Sequence, residues 1–203
     1  MILADLQHRG SLILFAFVFS LSQCVISCIG AQPNRNSNIG EYSSKPRISI
    51  PQLEKRIHTL VNNERRRYGL TALAWDDALA GIASKHSYDM EKRKYFAHTT
   101  PEGFDFSYRF NQAGYRCTIT EGTIIYAGAE NLMLNNLYNS VTTVNGNVYY
   151  DWNSLAAIAE TTVKGWMQSP GHKKNILTPQ WRHEGIGVAI SPDDKVYITQ
   201  NFC

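Results

Sequence analysis

Gly165-Trp166-Met167-Gln168-Ser169-Pro170-Gly171-His172-Lys173-Lys174-Asn175-Ile176-Leu177 is the stretch on which the reading of this chain turns. An apolar helix stripe runs into Trp166 and is broken by Pro170 and Gly171, since proline cannot continue the helical ladder and glycine tolerates the turn. The break places His172 on a turn backed by a tryptophan, where packing holds the residue while its ring faces a cleft. A lone histidine in such a place has a plainer reading, a hydrogen bond to a neighbouring loop. Residues upstream decide between the two.

Working outward, Leu155, Ile158, Ala159, Thr162 and Trp166 form the buried face of the helix that leads into this stretch, with Asn153 or Ser154 as its cap. Before it, Val141 to Tyr150 carries Asn145-Gly146 between β-branched and aromatic arms, which predicts a hairpin, read as a surface insertion. Ala127-Gly128-Ala129-Glu130-Asn131-Leu132 sets one acid among small residues, so the backbone packs closely while the Glu130 carboxylate projects. A short helix is predicted over Phe106 to Ala113, closing at Gly114. Asp76 caps a helix that ends near Tyr95 and buries Leu79, Ala83, His86 and Met90, so His86 reads as a core histidine with a hydrogen-bond partner. The loop Phe96 to Gly103 then delivers a second histidine, His98, just after a helix. Leu53, Ile57, Leu60, Val61 and Tyr68 define a first helix beginning near Pro51, with Arg65, Arg66 and Arg67 on its solvated face. Downstream, Gly185 to Ile190 and Lys195 to Phe202 read as two strands joined by the turn Ser191-Pro192-Asp193-Asp194. Helices on both sides of late strands point to a layered α+β domain.

A chain of 203 residues with 43% hydrophobic and 18% charged residues can bury one core, and one domain is expected. The formal net charge of +3 is small, and the basic runs are not interleaved with exposed aromatics, so no nucleic-acid partner is expected. Leu12 to Leu21 is almost entirely apolar, within an uncharged run from Gly10 to Asn34 that follows Arg9; residues 1–31 therefore read as an export signal. Val25-Ile26-Ser27-Cys28 has the order of a lipobox, which would make Cys28 the acylated residue. Gly30 or Ala31 would serve an ordinary cleavage site, and an uncleaved anchor is the third ending. All three place the domain outside the cell or at its surface, touching membrane only through this segment. Residues 32–50 are rich in Asn, Ser and Pro and read as a tether, leaving 51–203 as a folded domain, taken to be a monomer. With Cys24 and Cys28 in the export segment, Cys117 and Cys203 most simply form one disulfide. Closing a loop of that length stabilises by roughly 4 to 5 kcal/mol in the chain-entropy model. No Asn-x-Ser/Thr sequon occurs, so N-glycosylation is not expected.

Taken in order, Ala83-x-x-His86-Ser87-x-x-Met90, Phe96-x-His98, Glu130-Asn131, Trp166-x-x-Ser169-Pro170-Gly171-His172-x-x-Asn175-Ile176-Leu177, Gly185-x-Gly187-x-Ala189 and Tyr197-x-Thr199-Gln200-x-Phe202 resemble the CAP superfamily in its prokaryotic form. This is the SCP domain of cysteine-rich secretory proteins, antigen 5 and plant pathogenesis-related proteins of group 1. The resemblance runs from about Ile57 to Phe202. It implies a three-layer α-β-α sandwich with a central cleft lined by two histidines and two acids, where zinc or another divalent metal has been associated with the histidines. Carried over by motif, the histidines and metal ligands are His98 and His172, and the first acid is Glu130. The chain departs from the pattern at Ser169, where eukaryotic members have the second glutamate, and at Ala129, where glycine is usual. Glu102, four residues beyond His98, is the candidate replacement for the missing carboxylate.

Two imidazoles and a carboxylate match the ligand set of a hydrolytic zinc site with an open position. Against that chemistry, the ligands come from separate loops, and neither a His-Glu-x-x-His helix, a Gly-x-Ser-x-Gly elbow nor a reactive cysteine is present. The sequence therefore favours a secreted or surface-tethered module for a lipid or cell-envelope ligand over an enzyme, with a secreted metal-assisted hydrolase as the alternative.

Overall fold

A computed structural model describes residues 44–203. The segment read as an export signal, Cys28 and the first part of the tether lie outside the described residues.

The helical spacing of Leu53, Ile57 and Val61 is realised in α1 (Ile50–Arg67), where all three are fully buried and Pro51 occupies the first turn. The three arginines do not share a solvated face. Arg66 and Arg67 are exposed, but Arg65 continues the buried i, i+4 row and is fully enclosed. Its guanidinium donates to the carbonyls of Thr71, Ile176 and Thr178. α2 (Asp77–Arg93) starts where expected, the Asp76 carboxylate accepting from the Leu79 amide, and buries Leu79, Ala83, His86 and Met90. It ends at Arg93, with Lys94 in the left-handed region. α3 (Phe106–Gln112) follows, capped by Asp105.

Strands β1 (Ala74–Trp75), β4 (Ala129–Asn136), β7 (His183–Ile190) and β8 (Lys195–Phe202) make the central sheet, in the order β1-β7-β8-β4. Only the β1–β7 pair is parallel. Short hairpins flank it: β2 (Ile119–Glu121) with β3 (Ile124–Tyr126), and β5 (Tyr138–Val144) with β6 (Asn147–Trp152). The second is the hairpin expected from Asn145-Gly146, and both turn residues have positive φ, as a tight two-residue turn requires. α4 (Leu155–Gln168), capped by Ser154, runs back along the sheet and buries Trp166, whose indole donates to the Leu132 carbonyl.

Pro170 does not end helical structure. It opens α5 (Pro170–Ile176), with Ser169 closing α4 and beginning the new helix. Proline's fixed φ suits a first turn, where its missing N–H would have no partner in any case. His172 thus sits within the first turn of a short helix rather than on an open turn.

α1, α4 and α5 cover one face of the sheet and α2 the other, with α3 against the start of β4, giving the expected three-layer α-β-α sandwich. The fit between α2 and β7 is set by two glycines. A Cβ on Gly185 would come within 2.0 Å of the Ala80 backbone nitrogen, and one on Gly187 within 2.0 Å of that of Ser84. Ser87 locks the contact by donating to the Gly187 carbonyl while sharing a hydrogen bond with Thr199. Cys117 and Cys203 are disulfide-bonded across 86 residues, tying the last residue of the chain to the segment after α3.

Candidate functional site

Successive side chains on a strand point to opposite faces, so Glu130 and Asn131 at the start of β4 serve different layers. The Glu130 side chain is 1% exposed. One of its oxygens accepts from His98 Nδ1 at 2.9 Å and the other from Arg109 Nη2 at 2.6 Å. Arg109, from α3, also donates to the carbonyls of His98 and Phe104, so the loop bearing His98 is held at ring and backbone together.

Asn131 secures the other histidine. Its amide donates to the His172 carbonyl at 3.2 Å and to Gln200 Oε1 at 3.0 Å. Asn175 returns two bonds from α5, to Asn131 Oδ1 at 2.9 Å and to the Glu130 carbonyl at 3.1 Å. At the far end of α5, buried Arg65 donates to the carbonyl of Ile176, the last residue of the helix, and to that of Thr178 just beyond it. Behind Asn131 the network continues: Gln200 donates to Glu184 Oε2 at 2.5 Å, and Glu184 Oε1 meets His58 Nδ1 at 2.5 Å.

The result is two imidazoles facing each other, their centroids 6.4 Å apart and their planes 52° apart. Nδ1 of His98 donates to the Glu130 carboxylate, so in the neutral ring the lone pair lies on Nε2. Burial, together with the charge His98 can carry, lowers the pKa of His172. His86 has the expected partner, the Ala97 carbonyl at 3.1 Å, and burial lowers its pKa too.

Glu102 is placed differently from the expectation that it completes the acidic pair. Its exposed carboxylate is bound by both terminal nitrogens of Arg93, chiefly through which its pKa falls to about 2. The position beside Glu130 goes instead to the Arg109 cation. Ser169, where the second acid was missed, is the residue between α4 and α5.

Metal–nitrogen bonds of about 2.1 Å would bring two imidazole centroids to roughly 5 to 6 Å, slightly closer than they stand. The paired nitrogens suit zinc chemically. Glu130, already neutralised by Arg109, orients His98 rather than adding a ligand, and among the described residues no group of three His, Cys, Asp or Glu is arranged to hold a metal. The residues fit an open, two-histidine site and not a closed structural one.

Arg109 and the Glu184–Gln200 link escaped the sequence reading, because a single arginine in a short helix and an acid beginning a strand carry no local mark of their partners. The i, i+4 step from Val61 would have found Arg65.

Fold and site together define an α-β-α domain whose two cleft histidines are held, from opposite faces, by adjacent residues of one strand. Residues 58–202 match the Cysteine-rich secretory protein family, and the chain belongs to that CAP family. It is 31% identical over 150 residues to a Bacillus subtilis protein described as uncharacterized membrane protein YlbC, covering 73% of this chain and 34% of that one. It is 31% identical over 146 residues to uncharacterized protein YkwD of the same organism, covering 70% and 45%. The chain thus spans about a third of the first relative and under half of the second. An extracellular protein containing a SCP domain from Bacillus anthracis superposes with a TM-score of 0.54 at 25% identity, over 78% of this chain and 44% of that one.

Proposed function

We propose that this chain is a secreted or surface-tethered binding module that recognises a lipid or other cell-envelope ligand and takes up a divalent metal, zinc by its donor set, between His98 and His172. The observation that carries this reading is the commitment of Glu130. One of its oxygens is taken by His98 and the other by Arg109, so the carboxylate is committed to holding the two side chains in place, which suits a site that holds a ligand. His98 offers its Nε2 lone pair and His172 a ring kept neutral, and either a metal or a ligand hydroxyl can be received there.

A groove between α1 and α4, of about 560 Å³, supports the lipid part of the proposal. Leu60, Val163 and Met167 provide apolar walls, and Glu64, Arg67, Glu160 and Lys164 a rim of both signs. That lining suits an acyl chain beneath a zwitterionic head. Export agrees with the disulfide and with the extracellular description of the Bacillus anthracis relative. Displacement of a fluorescent fatty acid tests the lipid claim. Binding lost in Met167→Asp but retained in His172→Ala is the expected pattern, and a probe that fails to bind the unaltered protein overturns it.

The second reading, a metal-assisted hydrolase, rests on the Nε2 lone pair backed by a carboxylate. A bound divalent ion would supply a polarised water there. Hydrolysis abolished by a chelator and by His98→Ala would favour it over the binding module.

A further inference from the structure

The β5–β6 hairpin plays no part in the cleft, yet it closes a second pocket against the start of α4. This pocket has a volume of about 200 Å³ and is lined chiefly by Asn135, Asn136, Tyr138, Asn139, Asn153 and Thr161. Asn136 stands six residues along β4 from Glu130, about 20 Å away at the usual rise of a strand. It is therefore a separate place on the molecule.

Its chemistry is unusual for this chain in two respects. No formally charged side chain lines it, although 37 of 203 residues are Lys, Arg, Asp or Glu (20 plus 17). Three carboxamides line it beside the Asn136 backbone, and each is fixed in direction through its amide nitrogen. Asn135 donates to Thr162 Oγ1 at 2.8 Å, Asn139 to Asp151 Oδ2 at 3.1 Å and Asn153 to the Asn136 carbonyl at 3.1 Å. Each anchor uses the amide nitrogen and leaves the amide oxygen without a partner among the described residues. Asn136 follows Asn135 on β4 and turns its side chain to the opposite face, so it offers the pocket only backbone, and the Thr161 hydroxyl adds a further donor and acceptor. Tyr138 supplies a wall, its ring held by edge contacts with Tyr150 at 5.3 Å and Trp152 at 6.2 Å.

We infer that this pocket binds a neutral saccharide. Oriented amides present donors and acceptors within one small volume, which matches the vicinal hydroxyls and acetamido groups of a sugar. The aromatic wall suits the C–H face of a pyranose. The absence of charge disfavours phosphates, carboxylates and amines, whose burial here would go uncompensated. The volume falls below the roughly 300 to 1,000 Å³ of sites for larger organic ligands and suits one ring of an oligosaccharide. The inference goes beyond the cleft reading and does not depend on it.

Titration of the full chain with N-acetylglucosamine trimer and with maltotriose, followed by side-chain amide NMR and tryptophan fluorescence, tests it. Saturable binding of either sugar is expected, weakened about five- to tenfold in Asn139→Ala and in Tyr138→Ala and unchanged in His172→Ala. Asn139 is exposed and its one bond, to Asp151, lies on the surface of the hairpin, so its removal leaves the fold intact. No saturation by either sugar up to about 10 mM overturns the proposal. So does binding indifferent to Asn139→Ala, or displacement of the sugar at equal concentration by a neutral tripeptide, which would make this a peptide site.

Discussion

Glu130 joins the ring of His98 to the guanidinium of Arg109, and both partners depend on its charge. Glu130→Gln keeps the shape but weakens both bonds. Stability should fall by about 1 to 3 kcal/mol, read by chemical denaturation. Zinc affinity should fall by about 10- to 100-fold, as when a carboxylate behind a ligand histidine is removed. His86 and His172 set a pH dependence. Their folded pKa values lie below the unfolded one, near 6.5, so the unfolded chain binds more protons as pH drops past that value. The stability present above about pH 6.5 should therefore be lost as pH falls through the folded values. Denaturant midpoints measured from pH 8 to 5 check this, and the decline should be smaller in His86→Gln.

Elements here are positioned by contacts that a single substitution reaches. Gly187→Ala would drive a methyl into the α2 backbone, which cannot yield as a flexible side chain can. A loss of about 3 kcal/mol or more, or failure to fold, is expected in thermal denaturation. Arg65→Leu leaves the carbonyls of Ile176 and Thr178 without this donor. It should cost on the order of 3 kcal/mol and loosen the helix bearing His172, visible as faster amide exchange over residues 170–178. The same elements show what the sequence discloses. α1, α2, α4 and the β7–β8 hairpin have clean periods or strong caps, and their placement agrees with the structure, the buried Arg65 of α1 apart. β4 does not, because Glu130, Asn131 and Asn135 are polar on faces where a strand pattern demands apolar residues, each meeting a partner far along the chain. α5 was hidden by Pro170, whose sequence signal is the same for stopping a helix as for starting one.

On the scale of the molecule, the disulfide joins residues 86 apart, and its reduction should cost about 2 to 5 kcal/mol, seen as a lower melting temperature with reductant. His98, Glu130 and His172 could be picked out in the sequence because each stands in a distinctive local setting. Their mutual geometry could not, since it is made by Arg109, Asn131, Asn175 and Arg65 across sequence separations that no local pattern records. The two histidines, held from opposite faces of one sheet, should act as a single metal site. Calorimetric zinc titration of the unaltered protein beside His98→Ala and His172→Ala checks this. The expected result is about one equivalent of zinc, lost in both variants. No uptake by the unaltered protein, or uptake that survives in either variant, would contradict it.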